Sequence, residues 1–165
     1  MPKFAKKPTK KSDTPAPEPA PEALAAVPSR TTPPEVIQSF AMEVARLLHD
    51  DKCEDVLLLD VRTLSQVTDF ILIGSGTSDR QMHSVLQHVE ELGKPLGYTA
   101  FRSSTDDRST WLLLDFVDIV VHLFEPNCRA HYDLEMLWGD APRLEWERPD
   151  QMKRDRAGLS KDVRA

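Results

Sequence analysis

Residues 111–124 read Trp-Leu-Leu-Leu-Asp-Phe-Val-Asp-Ile-Val-Val-His-Leu-Phe, two apolar runs on either side of a short break. An aspartate marks each margin of the break, Asp115 and Asp118. Short apolar runs bounded in this way are strands, and a break this tight joins them as neighbours. An uninterrupted apolar run is the mark of a strand covered on both faces, so the pair is expected in the middle of a sheet. Pro126 then opens a helical stretch that runs into Tyr132-Asp-Leu-Glu-Met-Leu-Trp-Gly-Asp-Ala-Pro142. Acids alternate there with large apolar groups in a segment too short to bury them all. Such a surface suits a protein partner better than a small substrate.

The remaining elements follow from periodicity. Thr32-Pro-Pro-Glu35 predicts a capping box with Pro33 in the first turn. Val36, Ile37, Phe40, Ala41, Val44, Leu47 and Leu48 then recur at three- and four-residue steps, one stripe on a helix of about 16 residues. Val56-Leu-Leu-Leu-Asp-Val61 and Phe70-Ile-Leu-Ile73 are strands too close in sequence for a crossover helix between them, hence antiparallel. Gly74-Ser-Gly-Thr-Ser78 turns the chain into a second helix, with Ser78 as its cap and Gln81 as reciprocal partner. Met82, Val85, Leu86, Val89 and Leu92 form its stripe, and Gly93, Pro95 and Gly97 end it. A third strand is expected over residues 98–101, followed by a polar loop over 102–110. The order gives an α/β (α+β) fold, a mixed five-stranded sheet flanked by helices.

Charge divides the chain. Residues 1–34 carry +3 and nine of the 13 prolines, while the rest carries −9. A Lys/Pro/Ala-rich tail over residues 1–32 cannot bury enough apolar area to fold and is expected to be disordered. A domain is expected over residues 33–146, and a charged flexible tail over 147–165. The acidic body argues against nucleic-acid binding, which needs clustered Lys and Arg, and favours a basic protein partner. A weak contact of the basic tail with RNA stays open. Cys53 and Cys128 have no disulfide or metal spacing. No apolar run reaches the roughly 20 residues of a membrane span, and no apolar leader is present, so a cytoplasmic protein without membrane contact is expected.

Candidate chemistry is sparse. The Gly74–Ser78 loop sits where phosphate loops sit, but neither a dinucleotide pattern nor a P-loop lysine accompanies it. A nucleotidyltransferase would pair such a loop with close carboxylates for magnesium, and Asp60, Asp115 and Asp118 do not form an Asp-x-Asp pair. The five histidines, among them His83, His88, His122 and His131, do not converge as zinc ligands would. Glycines that merely make a turn and histidines in ordinary positions explain these features more simply. The aromatic and acidic set around Trp111 and Tyr132 carries more, because large aromatics anchor interfaces. For Trp111 itself, core and interface are equally open.

With these residues in view, the chain resembles the ribosomal silencing factor family, also called RsfS or Iojap-like. The likeness runs from about Val36 to Pro142. Its pieces are Leu59-Asp-Val61, Ser65-x-x-Thr-Asp-Phe70, Ser75-Gly-Thr-Ser-Asp-Arg80, Trp111-Leu-Leu-Leu-Asp115, Asp118-Ile-Val-Val-His122 and the 132–142 segment quoted above. None is specific alone; their order and spacing are. The resemblance implies a nucleotidyltransferase-like fold without catalytic carboxylates, no enzymatic activity and no cofactor. It implies binding to the large ribosomal subunit through ribosomal protein L-fourteen, which blocks joining of the small subunit and represses translation, as in starvation. A part in large-subunit biogenesis is also implied, since relatives act in organelle ribosome assembly.

Two departures stand out. Ser104-Thr105 occupies the place of a family Glu-Gly, and Val117 stands where the family has glycine. A β-branched residue resists positive φ, so a different turn is expected at Val117. The expected contact set is Trp111, Asp118, His122, Tyr132, Asp133, Glu135 and Trp138, with Thr77 and Ser78 as weaker members because capping already explains them. An alternative is a nucleotide-binding enzyme that uses the Gly74–Ser78 loop. A bland oligomerising scaffold is a third reading. Monomer and homodimer both stay open, because an exposed sheet edge can pair.

Overall fold

The computed structural model describes residues 32–150. The tail expected over residues 1–32, Thr32 apart, and residues 151–165 lie outside the described residues. A single mixed sheet of five strands in the order β1-β2-β5-β4-β3 forms the frame. Its strands are β1 (Glu54–Asp60), β2 (Phe70–Ser75), β3 (Arg102–Thr105), β4 (Trp111–Asp115) and β5 (Ile119–Phe124). β1 and β2 are antiparallel as expected, β2 and β5 run parallel, and β5, β4 and β3 follow antiparallel.

Two helices cover one face. In α1 (Pro34–Asp50) the side chains of Ile37, Phe40, Ala41, Val44, Ala45 and Leu48 are buried, while Val36, counted into the stripe from its spacing, faces solvent. In α2 (Asp79–Gly93) the buried row is Met82, Val85, Leu86 and Val89. These rows meet Leu58, Leu72, Leu112, Leu114, Val121 and Leu123 of the sheet. Each such side chain taken from water contributes roughly 1.5–3 kcal/mol. The second face carries Leu59, Ile71, Ile73 and Phe124, packed against Trp111, Cys128, Leu134 and Trp138. Cys53 is buried, and the desolvation pushes its thiol up to about 11, so it is a packing group rather than a nucleophile.

Several local expectations change. The α1 N-terminus has no side-chain cap: Pro33 occupies the cap position and Pro34 the first turn, where a missing N–H costs nothing. The third strand is Arg102–Thr105, not residues 98–101. Tyr98 instead stacks on Phe40 with ring centroids 4.0 Å apart, and that packing takes it out of the sheet. β3 is all exposed and polar because it is an edge strand, paired on one side only. β5 lies at the centre of the sheet, but β4 is its neighbour toward the edge, and only Leu112 and Leu114 of β4 are fully buried. The other face of β4, with Trp111 and Leu113, stays half open.

The β4–β5 connection keeps positive φ. Val117 has φ 76°, so the turn is not the different one expected from a β-branched residue. A carboxylate holds it there: the Val117 N–H donates to Asp115 Oδ1 at 2.7 Å. Arg102, beside Asp115 on the neighbouring strand, adds a 3.8 Å ion pair.

The terminal helical stretch is not continuous. α3 (Pro126–Tyr132) ends at Asp133, which takes φ 44°, and α4 (Leu134–Leu137) restarts in a new direction. Beyond it the chain runs back along β1, with Asp60 N–H donating to Pro142 O and Leu144 N–H to Leu58 O. Trp146 is buried and donates its indole N–H to Val56 O at 3.2 Å. Arg148 forms two hydrogen bonds to Asp50, at 3.1 and 3.0 Å.

Candidate functional site

Trp111 opens β4 and lies in register with Phe124, the last residue of β5. Alternation then places Trp111, Leu113, His122 and Phe124 on the sheet face away from α1 and α2. The Trp111 ring stacks on Phe124 at 4.9 Å and meets Tyr132 at 4.9 Å, so α3 is docked on the sheet through aromatic contact. Its indole N–H donates to His122 Nδ1 at 3.1 Å. That bond commits Nδ1 as acceptor, so the neutral ring carries its proton on Nε2. His122 is only 8% exposed, and burial pushes it down to about 4. It supports Trp111 from below rather than offering a surface.

α3 is fixed at its start by Glu125, whose carboxylate accepts from Cys128 N–H at 3.1 Å and whose own N–H donates to Thr110 O. At its end, the Asp133 N–H closes on Arg129 O. α4 then presents Met136 and Leu137, 79% and 72% exposed, next to Tyr132 at 56%. Asp133 and Asp140, in the same stretch of chain, are exposed as well. A small cleft of about 280 Å³ flanks Trp111, lined by Ser104, Thr105, Asp106 and Leu113.

Of the expected contact residues, Trp111, His122, Tyr132, Asp133, Glu135 and Trp138 belong to this end of the sheet. Their exposures differ. Tyr132 and Asp133 are open, and Trp111 and Trp138 are half-buried against the second core. Glu135 is turned inward to Arg129, Nε to Oε1 2.5 Å. Asp118 is elsewhere: it lies in the β4–β5 turn, at the far end of the hairpin from Trp111, about 13 Å along the strands. Its carbonyl accepts from Asp69 and Phe70 N–H, tying β5 to β2. Its carboxylate acts on the helix-covered side, where it adds to the burial that raises the Tyr98 phenol. Asp118 therefore does not join the set. Met136 and Leu137, the most open large apolar groups of this segment, were not among the expected residues. No local signal in the sequence announces the break at Asp133 that exposes them.

Thr77 and Ser78 are exposed at the α2 N-terminus, at the same end of the sheet as Trp111. Ser78 Oγ accepts from Gln81 N–H at 3.1 Å, and Gln81 Oε1 accepts from Thr77 N–H at 3.1 Å. Gly76 N–H donates to Phe124 O. The N–H groups of Gly76, Thr77 and Gln81 are thus already taken within the fold. A Cβ at Gly76 would lie 2.0 Å from Met82 Cγ, so the glycine is needed for packing. Asp60, Asp115 and Asp118 sit toward the opposite end of the sheet, roughly 10–17 Å from Gly74 along the strands. Asp60 is held by Arg62, which depresses its carboxyl, and Asp115 by the Val117 turn. Among the described residues no group of three or more His, Cys, Asp or Glu could hold a metal ion.

With that geometry fixed, comparison with known proteins is decisive. The family model described as "Ribosomal silencing factor during starvation" matches residues 34–164. The chain belongs to the ribosomal silencing factor family. The family's Bacillus subtilis member, RsfS, is 37% identical over 106 residues, spanning 64% of this chain and 90% of that protein. The mouse protein named for mitochondrial assembly of the ribosomal large subunit is 33% identical over 95 residues, 56% of this chain and 42% of that protein. A crystal structure of a Chromobacterium violaceum protein superposes with a TM-score of 0.58 at 30% identity, covering 66% of this chain and 88% of that one. The silencing-factor fold is therefore the mixed five-stranded sheet described above.

Proposed function

We propose that this silencing factor acts by residence rather than catalysis. It binds the large ribosomal subunit through ribosomal protein L-fourteen and sterically keeps the small subunit from joining, which represses translation. The observation that carries this reading is the α3–α4 segment, where Tyr132 lies against Trp111, Met136 and Leu137 stand open within the next five residues, and Asp133 and Asp140 are exposed in the same stretch. Apolar anchors ringed by acids suit a basic partner with an apolar patch, which is the character of a ribosomal protein. A standard interface of this kind buries roughly 800 Å² per partner. The separation of the glycine loop from the three aspartates favours a non-enzymatic role over nucleotide transfer.

The proposed contact set is Trp111, Tyr132, Asp133, Met136, Leu137 and Trp138, with Thr77 and Ser78 at its margin. His122 and Glu135 support it from within. No helix among the described residues is long and apolar enough to cross a membrane. The mouse relative's name supports a second role in assembly of the large subunit. Sucrose-gradient sedimentation tests the reading: the protein should migrate with large subunits and lower the joined fraction. A protein left at the top of the gradient, with joining unchanged, overturns it. Binding should also weaken as salt rises, because part of the complementarity is charge.

A further inference from the structure

We propose that Arg129 is the positioning residue of the partner-binding face, latching the α3–α4 elbow to the sheet through Ser75 and Glu135. The proposal rests on the functional reading above and adds to it a residue that makes no partner contact itself.

The elbow needs a latch. A four-residue helix such as α4 cannot hold itself, since one turn fixes several dihedrals for a single hydrogen bond. The residue that joins it to α3, Asp133, sits at φ 44°, a conformation that costs a non-glycine residue on the order of 1 kcal/mol. Surrounding contacts must over-determine that geometry. Arg129 supplies them from both its main chain and its side chain. Its carbonyl accepts from Asp133 N–H at 2.9 Å, closing α3. Its guanidinium reaches in two directions: Nη1 donates to Ser75 Oγ at 2.8 Å, and Nε donates to Glu135 Oε1 at 2.5 Å. Ser75 is buried at the end of β2, so one planar group ties the first residues of α4 to a rigid strand.

The bridge spans the break. Arg129 lies before Asp133 and Glu135 after it, so the ion pair fixes the angle between the two short helices. The side chains whose placement relative to Tyr132 depends on that angle are Met136 and Leu137. Both charges are largely withdrawn from water, with side-chain exposures of 11% for Arg129 and 21% for Glu135. Removing either leaves the other short of a partner in a partly desolvated place, so the pair fails as a unit. Lysine cannot replace it: a single ammonium lacks the flat fork that reaches a hydroxyl and a carboxylate at once.

The test uses Arg129→Lys, Arg129→Gln and Glu135→Gln in the full chain, with two readouts. Hydrogen exchange on the free protein reads the elbow directly. Each variant should speed exchange of the amides of residues 133–139 by about tenfold or more, leaving α1 and α2 at wild-type rates. Sedimentation with purified large subunits reads the consequence. Each single variant should weaken binding by about tenfold, and Arg129→Gln with Glu135→Gln together should lose no more than either alone. Wild-type exchange at the elbow in Arg129→Lys and Arg129→Gln overturns the latch. So does a binding loss confined to the Arg129 variants, which would make Arg129 a direct contact. If the wild-type protein does not bind large subunits, the functional reading fails, and the exchange experiment still decides the latch by itself.

Discussion

Trp111 donates its indole N–H to Nδ1 of His122, 3.1 Å away, and this bond joins the half-buried end of β4 to the centre of the sheet. The histidine comes from β5, the middle strand, and the tryptophan from β4, its neighbour toward the edge. Protonating Nδ1 would remove the acceptor and place a charge in a buried site, so the pair is stable only with a neutral imidazole.

A pH dependence follows. The folded value of His122 is pushed down to about 4, against an ordinary 6.5. A base depressed in the folded state contributes stability that is complete above its unfolded value and drains away as pH falls toward the folded one. The full difference is about 3 kcal/mol, lost between roughly pH 6.5 and pH 4. His88 acts in the opposite sense, because Asp51 raises it, but it is exposed and its effect is screened. Urea melts across this range should show a steeper loss for the wild type than for His122→Gln. Parallel curves would mean that His122 is not held neutral by burial.

Val117 stores strain at φ 76°. Val117→Gly should raise stability by about 1 kcal/mol, the relief of left-handed strain less the added entropy of the unfolded glycine. Asp115→Ala should lower it by about 1–2 kcal/mol, because the Val117 N–H loses its acceptor. Thermal denaturation of both variants checks the pair, and a destabilised glycine variant would count against strain at this turn.

Trp146 closes the first core from the C-terminal side, donating to Val56 O while its own carbonyl accepts from Arg46. Trp146→Ala should cost about 3–5 kcal/mol, as loss of a buried aromatic does. A cost under about 1 kcal/mol in a chemical melt would place this segment outside the cooperative unit.

The two long helices were legible because their apolar residues recur at helical steps, and Ser78 because a cap has a local signature. The β1–β2 and β4–β5 pairs were legible from short apolar runs. β3 was not, since an exposed edge strand needs no apolar face, and the apolar residues before it pack as a stack on Phe40 instead. The burial of His122 was half-legible: it shares strand parity with Phe124, which marks it as facing the second core. The elbow at Asp133 was not, because one residue in the left-handed region leaves no periodic trace. Asp118 was assigned to the partner face by its nearness in sequence to the aromatic set, but a hairpin separates its two ends by the full length of the strands.

The central claim is that Tyr132, Met136 and Leu137 form a face that holds the protein on the large subunit. Met136 and Leu137 are exposed, so replacing both by aspartate should leave the melting temperature of the free protein nearly unchanged. Co-sedimentation of this double variant and the wild type with purified large subunits is the most direct test. The wild type should travel with the subunits and reduce their joining to small subunits, and the folded double variant should remain at the top of the gradient and leave joining intact. Equal binding by the two proteins would contradict the account.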